Sequence, residues 1–121
     1  MLLNWARTIV GKIILALDST FSPKPMERSS EDQARAEAAV SGLVMYQFEA
    51  CPFCVKVRRE LKRLNLVLEL RDATVPEIAD ELIQGGGELQ VPCLRIPEKE
   101  GQVRWLYESD EIIAFLRQKV A

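Results

Sequence analysis

The sequence predicts an α/β fold: a four-stranded mixed sheet flanked by helices, with an amphipathic helix added at the N-terminus. Three observations carry this expectation. From Leu43 onward, short apolar runs alternate with segments of helical period, the pattern of strands linked through helices. The last two runs, Val91–Ile96 and Val103–Tyr107, are separated by a short polar stretch, Glu98–Gln102, that suits a hairpin turn. The motif Cys51-Pro52-Phe53-Cys54 lies directly after the first run and directly before a helical pattern.

In residues 1–17, Leu2, Leu3, Ala6, Ile9, Val10, Ile13, Ala16 and Leu17 recur at three- and four-residue steps. Asn4, Arg7, Thr8, Gly11 and Lys12 share the opposite side. Arg7 and Lys12 interrupt a stretch already short of the roughly 20 apolar residues that a membrane span requires. A signal peptide is a poor fit, because the basic residues fall inside the apolar stretch and no clear small-residue cleavage site follows. Trp5 with two basic residues fits a helix lying in a membrane interface. Packing on its own domain or on a partner subunit fits equally, and a spanning helix is the third alternative.

Residues 18–41 read as a linker and a short helix. Ser22, Pro23, Pro25, Ser29 and Ser30 break up residues 18–30. Residues 31–40 are rich in Ala, Glu and Arg, with Ser29 or Ser30 as cap, Asp32 or Gln33 answering it, and Gly42 as the stop.

Residues 42–121 form the main domain. Leu43–Phe48 is a strand. Pro52–Asn65 is a helix, with Val57, Leu61 and Leu64 on one face and Lys56, Arg59 and Arg63 on another. Val67–Arg71 is the second strand. Val75–Gln84 is a helix entered near Asp72–Thr74 and stopped by Gly85, Gly86 and Gly87. The hairpin of Val91–Ile96 and Val103–Tyr107 follows. Ser109–Val120 closes the chain as a helix with Ile112, Ile113, Phe115 and Leu116 as its apolar face.

Composition narrows the chemistry. The chain has 121 residues, enough for one domain with an appended segment. A hydrophobic fraction of 48% allows a real core, and a net charge of −2 argues against general nucleic-acid binding. Three Cys suggest a reducing compartment, where a CxxC is more often catalytic or metal-binding than structural. There is no His, so hydrolysis through a Cys–His pair is excluded.

The Cys51–Cys54 pair has three readings. A structural disulfide would close too short a loop to restrict the unfolded chain much, and no disulfide framework accompanies it. A zinc site usually takes four Cys or His ligands, and here a carboxylate would have to complete it. A redox dithiol fits the context best. The helix that follows presents free N–H groups and the positive end of its dipole, which favour a thiolate over a thiol at Cys51. Pro52 falls at the start of that helix, where its missing N–H costs nothing. Cys54 lies one turn further on, within reach of a mixed disulfide on Cys51.

Over about residues 42–120 the chain resembles the glutaredoxins, of thioredoxin-like fold, and the related N-terminal domain of glutathione transferases. Three separated pieces carry the resemblance: "YQFEACPFCVKVR" from Tyr46, Val91-Pro92 within "QVPCLRI", and "WLYESDEIIAFL" at residues 105–116. The resemblance implies that Cys51 is the nucleophile and Cys54 the resolving cysteine. It implies a cis bond at Pro92, which turns the backbone of Val91 toward an extended peptide-like ligand. It places Phe53, Val91, Pro92, Glu108, Ser109 and Asp110 against glutathione, the last three at its γ-glutamyl end. Simple helix capping is the other role open to Ser109 and Asp110. The chain is expected not to be a complete glutathione transferase, because no second, all-helical domain follows.

Some positions depart from the pattern. Phe48 stands where many glutaredoxins carry a Lys, and Phe53 stands where Tyr is more common. The Gly-Gly pair common before the last helix is absent, and "LYESDEI" follows the transferase pattern. Lys56 or Arg58 compensates for the missing Lys, or both are solvated helix charges. The basic run Lys56, Arg58, Arg59, Lys62 and Arg63 either steers anionic glutathione or forms a solvated face. Cys93 reads as a core residue, with a regulatory thiol as the alternative. Trp105 and Tyr107 read as packing residues.

The expected function is a glutathione-dependent thiol–disulfide oxidoreductase that reduces disulfides or protein–glutathione mixed disulfides. Glutathione is the co-substrate, no metal is expected, and the partners are glutathionylated or disulfide-containing proteins rather than nucleic acid. A non-catalytic glutathione- or partner-binding module, an iron–sulfur cluster bridging two chains through Cys51, and a transferase-like activity are the alternatives. The expected location is cytoplasmic, with residues 1–17 available for peripheral contact with the inner face of a membrane or with a partner.

Overall fold

A computed structural model describes residues 2–20 and 23–121, with side chains described for residues 7–16 and 23–121. The expectations for Leu2, Leu3, Asn4, Trp5, Ala6, Leu17 and Ser22 fall outside the described side chains. The elements are α1 (Leu2–Thr20), α2 (Ser30–Ala39), β1 (Val44–Gln47), α3 (Pro52–Arg63), β2 (Glu69–Asp72), α4 (Pro76–Gly86), β3 (Cys93–Pro97), β4 (Val103–Leu106) and α5 (Ser109–Lys119). The strands form one sheet in the order β2-β1-β3-β4. β1 and β2 are parallel, with Val44 opposite Glu69. β1–β3 and β3–β4 are antiparallel. This is the mixed α/β sheet of a thioredoxin-like fold, flanked by helices.

Alternation along the strands assigns the two faces. Met45, Leu94 and Ile96 point into a core shared with Ala36 and Val40 before β1, Val57 and Leu61 of α3, and Ile112 and Leu116 of α5. Val44, Tyr46 and Cys93 point the other way, onto Leu82 of α4 and Ala73. The helix α2 is therefore seated on the main core. Arg28 Nη1 donates to the Leu64 carbonyl, and Gln33 Nε2 donates to the Asn65 carbonyl at 2.8 Å. The Ser29 hydroxyl caps α2 by accepting from the Asp32 amide at 3.1 Å.

Several boundaries move, for physical reasons. α1 continues to Thr20, into the stretch read as linker. The second strand pairs only from Glu69, not from Val67. Leu66 and Leu68 are buried while Val67 is 91% exposed, so the chain is already extended there but has not reached its partner. The third strand starts at Cys93, which leaves Val91 and Pro92 as a bend before it. α4 does not stop at Gln84. Gly85 and Gly86 remain helical, and only Gly87, at φ 93°, takes the left-handed cap conformation. The first two glycines serve a close approach: a Cβ would lie 2.1 Å from Trp105 Cζ2 at Gly85 and 2.0 Å from the Tyr107 hydroxyl at Gly86.

One ion-pair hub joins α3 to α5. Glu60, whose side chain is 11% exposed, accepts from Arg63 Nε at 2.8 Å and from Arg117 Nη2 at 3.0 Å. The hydrogen bond from Arg117 is the main cause that holds the Glu60 carboxyl below the usual carboxylate range; burial opposes it and Arg63 adds to it. A depressed folded-state pKa stabilises the fold above the unfolded value, and this stability is lost as pH falls through the folded value. Both Arg partners are well exposed, so the loss in Glu60→Gln is expected to be only about 1 kcal/mol at pH 7. Melting curves of both proteins at pH 7 and pH 3 check this. The gap between wild type and variant should shrink at the lower pH.

Candidate active site

β1 ends at Gln47, and the chain then turns through Phe48–Ala50 into α3. Cys51 is the N-cap of α3, in extended conformation (φ −72°, ψ 125°), with Pro52 at the first helical position. No side chain caps this end, so the free N–H groups of the first turn face the site. Cys51 is half-buried and Cys54 fully buried, and both are free thiols. Burial is the main cause that pushes the Cys54 thiol up to about 12, opposed by a backbone hydrogen bond from Phe48 and reinforced by its hydrogen bond with Cys51. Cys54 is thus held protonated beside the more accessible sulfur.

Register explains how the other sequence pieces reach this place. Tyr46 lies opposite Cys93, so the residues before β3, Val91 and Pro92, fall at the sheet end from which Cys51 emerges. Leu94 lies opposite Leu106, so the residues after β4 return to that same end. The Val91–Pro92 bond is cis. Val91 is half-buried and packs in the cluster that holds Phe48 and Tyr107, and Pro92 is buried. Glu108 is the exposed N-cap of α5, with no side-chain cap bond, followed by half-buried Ser109 and exposed Asp110. Phe53 is 60% exposed on the first turn of α3. Chain topology therefore gathers all three pieces at one end of the sheet.

Two basic side chains near the site are already engaged. Lys56 pairs with Asp110, which ties the first turns of α3 and α5 together. Arg58 donates to Gln47 Oε1 at 2.6 Å and to the Glu49 carbonyl at 2.6 Å. It clasps the loop that delivers Cys51 and is not a freely solvated charge. Its place seven residues after Cys51, two helical turns along one face, was the signal in the sequence.

Cys93 is fully buried, and burial pushes its thiol up to about 11, against hydrogen bonds from Tyr107 and the Leu106 backbone. It has the environment of an inert core cysteine. Beneath the site, Tyr46 is completely buried and hydrogen-bonds to Glu81, with its ring 5.6 Å from that of Trp105. Burial first, and then Glu81, push the Tyr46 hydroxyl up to about 12. Among the described residues, no cluster of three or more His, Cys, Asp and Glu side chains is placed to hold a metal ion.

Residues 43–100 match the glutaredoxin family model. Over that segment, just under half of the chain, it is similar to the glutaredoxins. No curated protein matches it. Two solved structures of maleylacetoacetate isomerase from Anaeromyxobacter dehalogenans 2CP-1 are similar. The one with GSH bound in its active site is 27% identical, covers 64% of this chain and 37% of that one, and has a TM-score of 0.46. The one with bound dicarboxyethyl glutathione and citrate is 28% identical, covers 64% and 34%, and has a TM-score of 0.40. The chain spans about a third of the length of those structures.

The N-terminal helix lies outside the matched segment and reaches the site through the side read as polar. The apolar positions Ile9, Val10 and Ile13 are exposed, whereas Gly11, placed on the polar side, is buried. The absence of a side chain at Gly11 decides this: an added Cβ would stand 2.9 Å from the Ala50 Cβ, in the loop just before Cys51. The helix approaches the active-site loop backbone-first, through the one position that permits it. Among the described residues, no helix is long and apolar enough to cross a membrane.

Proposed function

We propose that this protein is a glutathione-dependent thiol–disulfide oxidoreductase acting through Cys51 and Cys54. The observation that carries this reading is the asymmetry of the two thiols. Cys51 is accessible at an uncapped helix N-terminus, and Cys54 is sealed and protonated one turn behind it. That arrangement suits a nucleophile and a resolving thiol.

The Cys51 thiolate attacks the glutathione sulfur of a mixed disulfide. The old S–S bond breaks, the other thiol leaves as a thiolate and takes a proton from solvent, and glutathione remains bonded to Cys51. A second glutathione thiolate then attacks the bound glutathione sulfur, giving oxidised glutathione and restoring the Cys51 thiolate. In the dithiol route, Cys54 loses its proton and attacks Cys51 instead, releasing glutathione and leaving an internal disulfide.

Positions on either side receive the tripeptide. The backbone at Val91 and Pro92 pairs with its extended chain. The uncapped N-terminus of α5 accepts the γ-glutamyl carboxylate, and Glu108 takes the ammonium. Asp110 is the weaker candidate for that ammonium, because Lys56 already holds it. Phe53 offers an exposed ring at the mouth.

The reading is tested by treating the Cys54→Ser variant with oxidised glutathione and mapping the adduct by mass spectrometry. One glutathione on the peptide containing Cys51 is expected. An adduct on Cys93, or none, would contradict the assigned roles.

A further inference from the structure

The site has a second wall that the glutaredoxin segment does not supply. Val10, Gly11 and Ile14 of α1 face Phe48, Ala50 and Cys51 across a mostly apolar cleft of about 670 Å³. This is within the range of small-molecule sites. None of Val91, Pro92, Glu108, Ser109 or Asp110 lines it, so Cys51 is the element it shares with the proposed glutathione positions.

A mixed disulfide has two halves joined at sulfur. If glutathione lies along Val91 and the start of α5, its thiol partner leaves in line from the far side of the glutathione sulfur and needs a surface of its own near Cys51. The α1 cleft is such a surface, and its chemistry selects the partner. Val10, Ile14, Phe48 and Ala50 offer apolar contacts; Arg7, Glu49, Asp72 and Thr74 also line the cleft, but most of its exposed wall is apolar.

We propose that α1 completes a second-substrate site whose ligand is a small organic thiol with an apolar substituent, presented as its mixed disulfide with glutathione. The proposal rests on the oxidoreductase reading and adds the substrate class. In the balanced step, the Cys51 thiolate takes the glutathionyl group, the apolar thiolate leaves into the cleft and is protonated by water, and glutathione completes the cycle as reductant. One molecule of mixed disulfide and one of glutathione give one apolar thiol and one oxidised glutathione.

The test compares kcat/KM of the full chain on two glutathione mixed disulfides, one with octanethiol and one with 2-mercaptoethanol, coupled to glutathione reductase and NADPH. Variants are Val10→Asp, whose side chain is 54% exposed and lines the cleft, and Ile13→Asp, which is 52% exposed on α1 but outside the lining. Wild type should prefer the octanethiol disulfide. Val10→Asp should cut that preference about tenfold, since a single methylene in an apolar pocket changes discrimination about 10- to 200-fold. Ile13→Asp should leave the preference as in wild type. No preference in wild type, an unchanged preference in Val10→Asp, or an equal fall in both variants would overturn the α1 site while leaving the oxidoreductase reading intact. Inactivity of wild type on both disulfides would overturn both.

Discussion

Cys51→Ser is expected to lower glutathione-dependent reduction of a mixed disulfide by at least about 10³-fold, because a hydroxyl cannot replace the attacking thiolate. Neither remaining thiol can substitute. Cys54 and Cys93 are both fully buried, and burial pushes them up to about 12 and about 11 respectively. Cys54→Ser should behave differently and keep a measurable fraction of wild-type turnover, because a second glutathione can discharge the adduct on Cys51. A comparable loss in both variants would mean that the internal disulfide is obligatory. Circular dichroism melts of both variants separate lost chemistry from lost fold.

Leu94→Ala is expected to destabilise the fold by about 2–5 kcal/mol. Leu94 is fully buried at the centre of the sheet, opposite Met45 on β1 and Leu106 on β4. It also packs in the core shared with α3 and α5, so no single neighbour can move in to fill the cavity. Such a loss is a large part of the 5–15 kcal/mol that holds a typical domain folded. Urea unfolding should show a lower midpoint with little change in slope. Leu70→Ala, at a 42% exposed position on the edge strand β2, should cost much less.

Much of this arrangement was legible in the sequence because local chemistry and global fold agree. Val57, Leu61, Ile112 and Leu116 repeat at helical spacing and all four are buried. Cys51 and Pro52 announce a helix start, and the chain starts α3 there. The hairpin was marked by the polar stretch Glu98–Gln102, which the structure turns with a short 3₁₀ segment.

The rest depends on contacts between distant segments. Gly85 and Gly86 look like a helix stop until Trp105 and Tyr107, some twenty residues later, are seen to need the space. Arg58 looks like a surface charge until its loop partners Gln47 and Glu49 are in place. Periodicity found the apolar stripe of α1 but left open what it faces, and a helix that docks through glycine need not bury its most apolar face. A single backbone approach at Ala50 decided that orientation, and no amphipathic pattern encodes it.

The proposed function stands on turnover with glutathione through Cys51. It is tested most directly by the steady-state rate of the purified, reduced wild-type chain on a glutathione mixed disulfide, with glutathione reductase and NADPH reporting oxidised glutathione. The account predicts NADPH consumption that depends on both the protein and glutathione and disappears with Cys51→Ser. A wild-type rate no faster than the protein-free background would contradict it, and the dithiol at the head of α3 would then belong to a binding module rather than an enzyme.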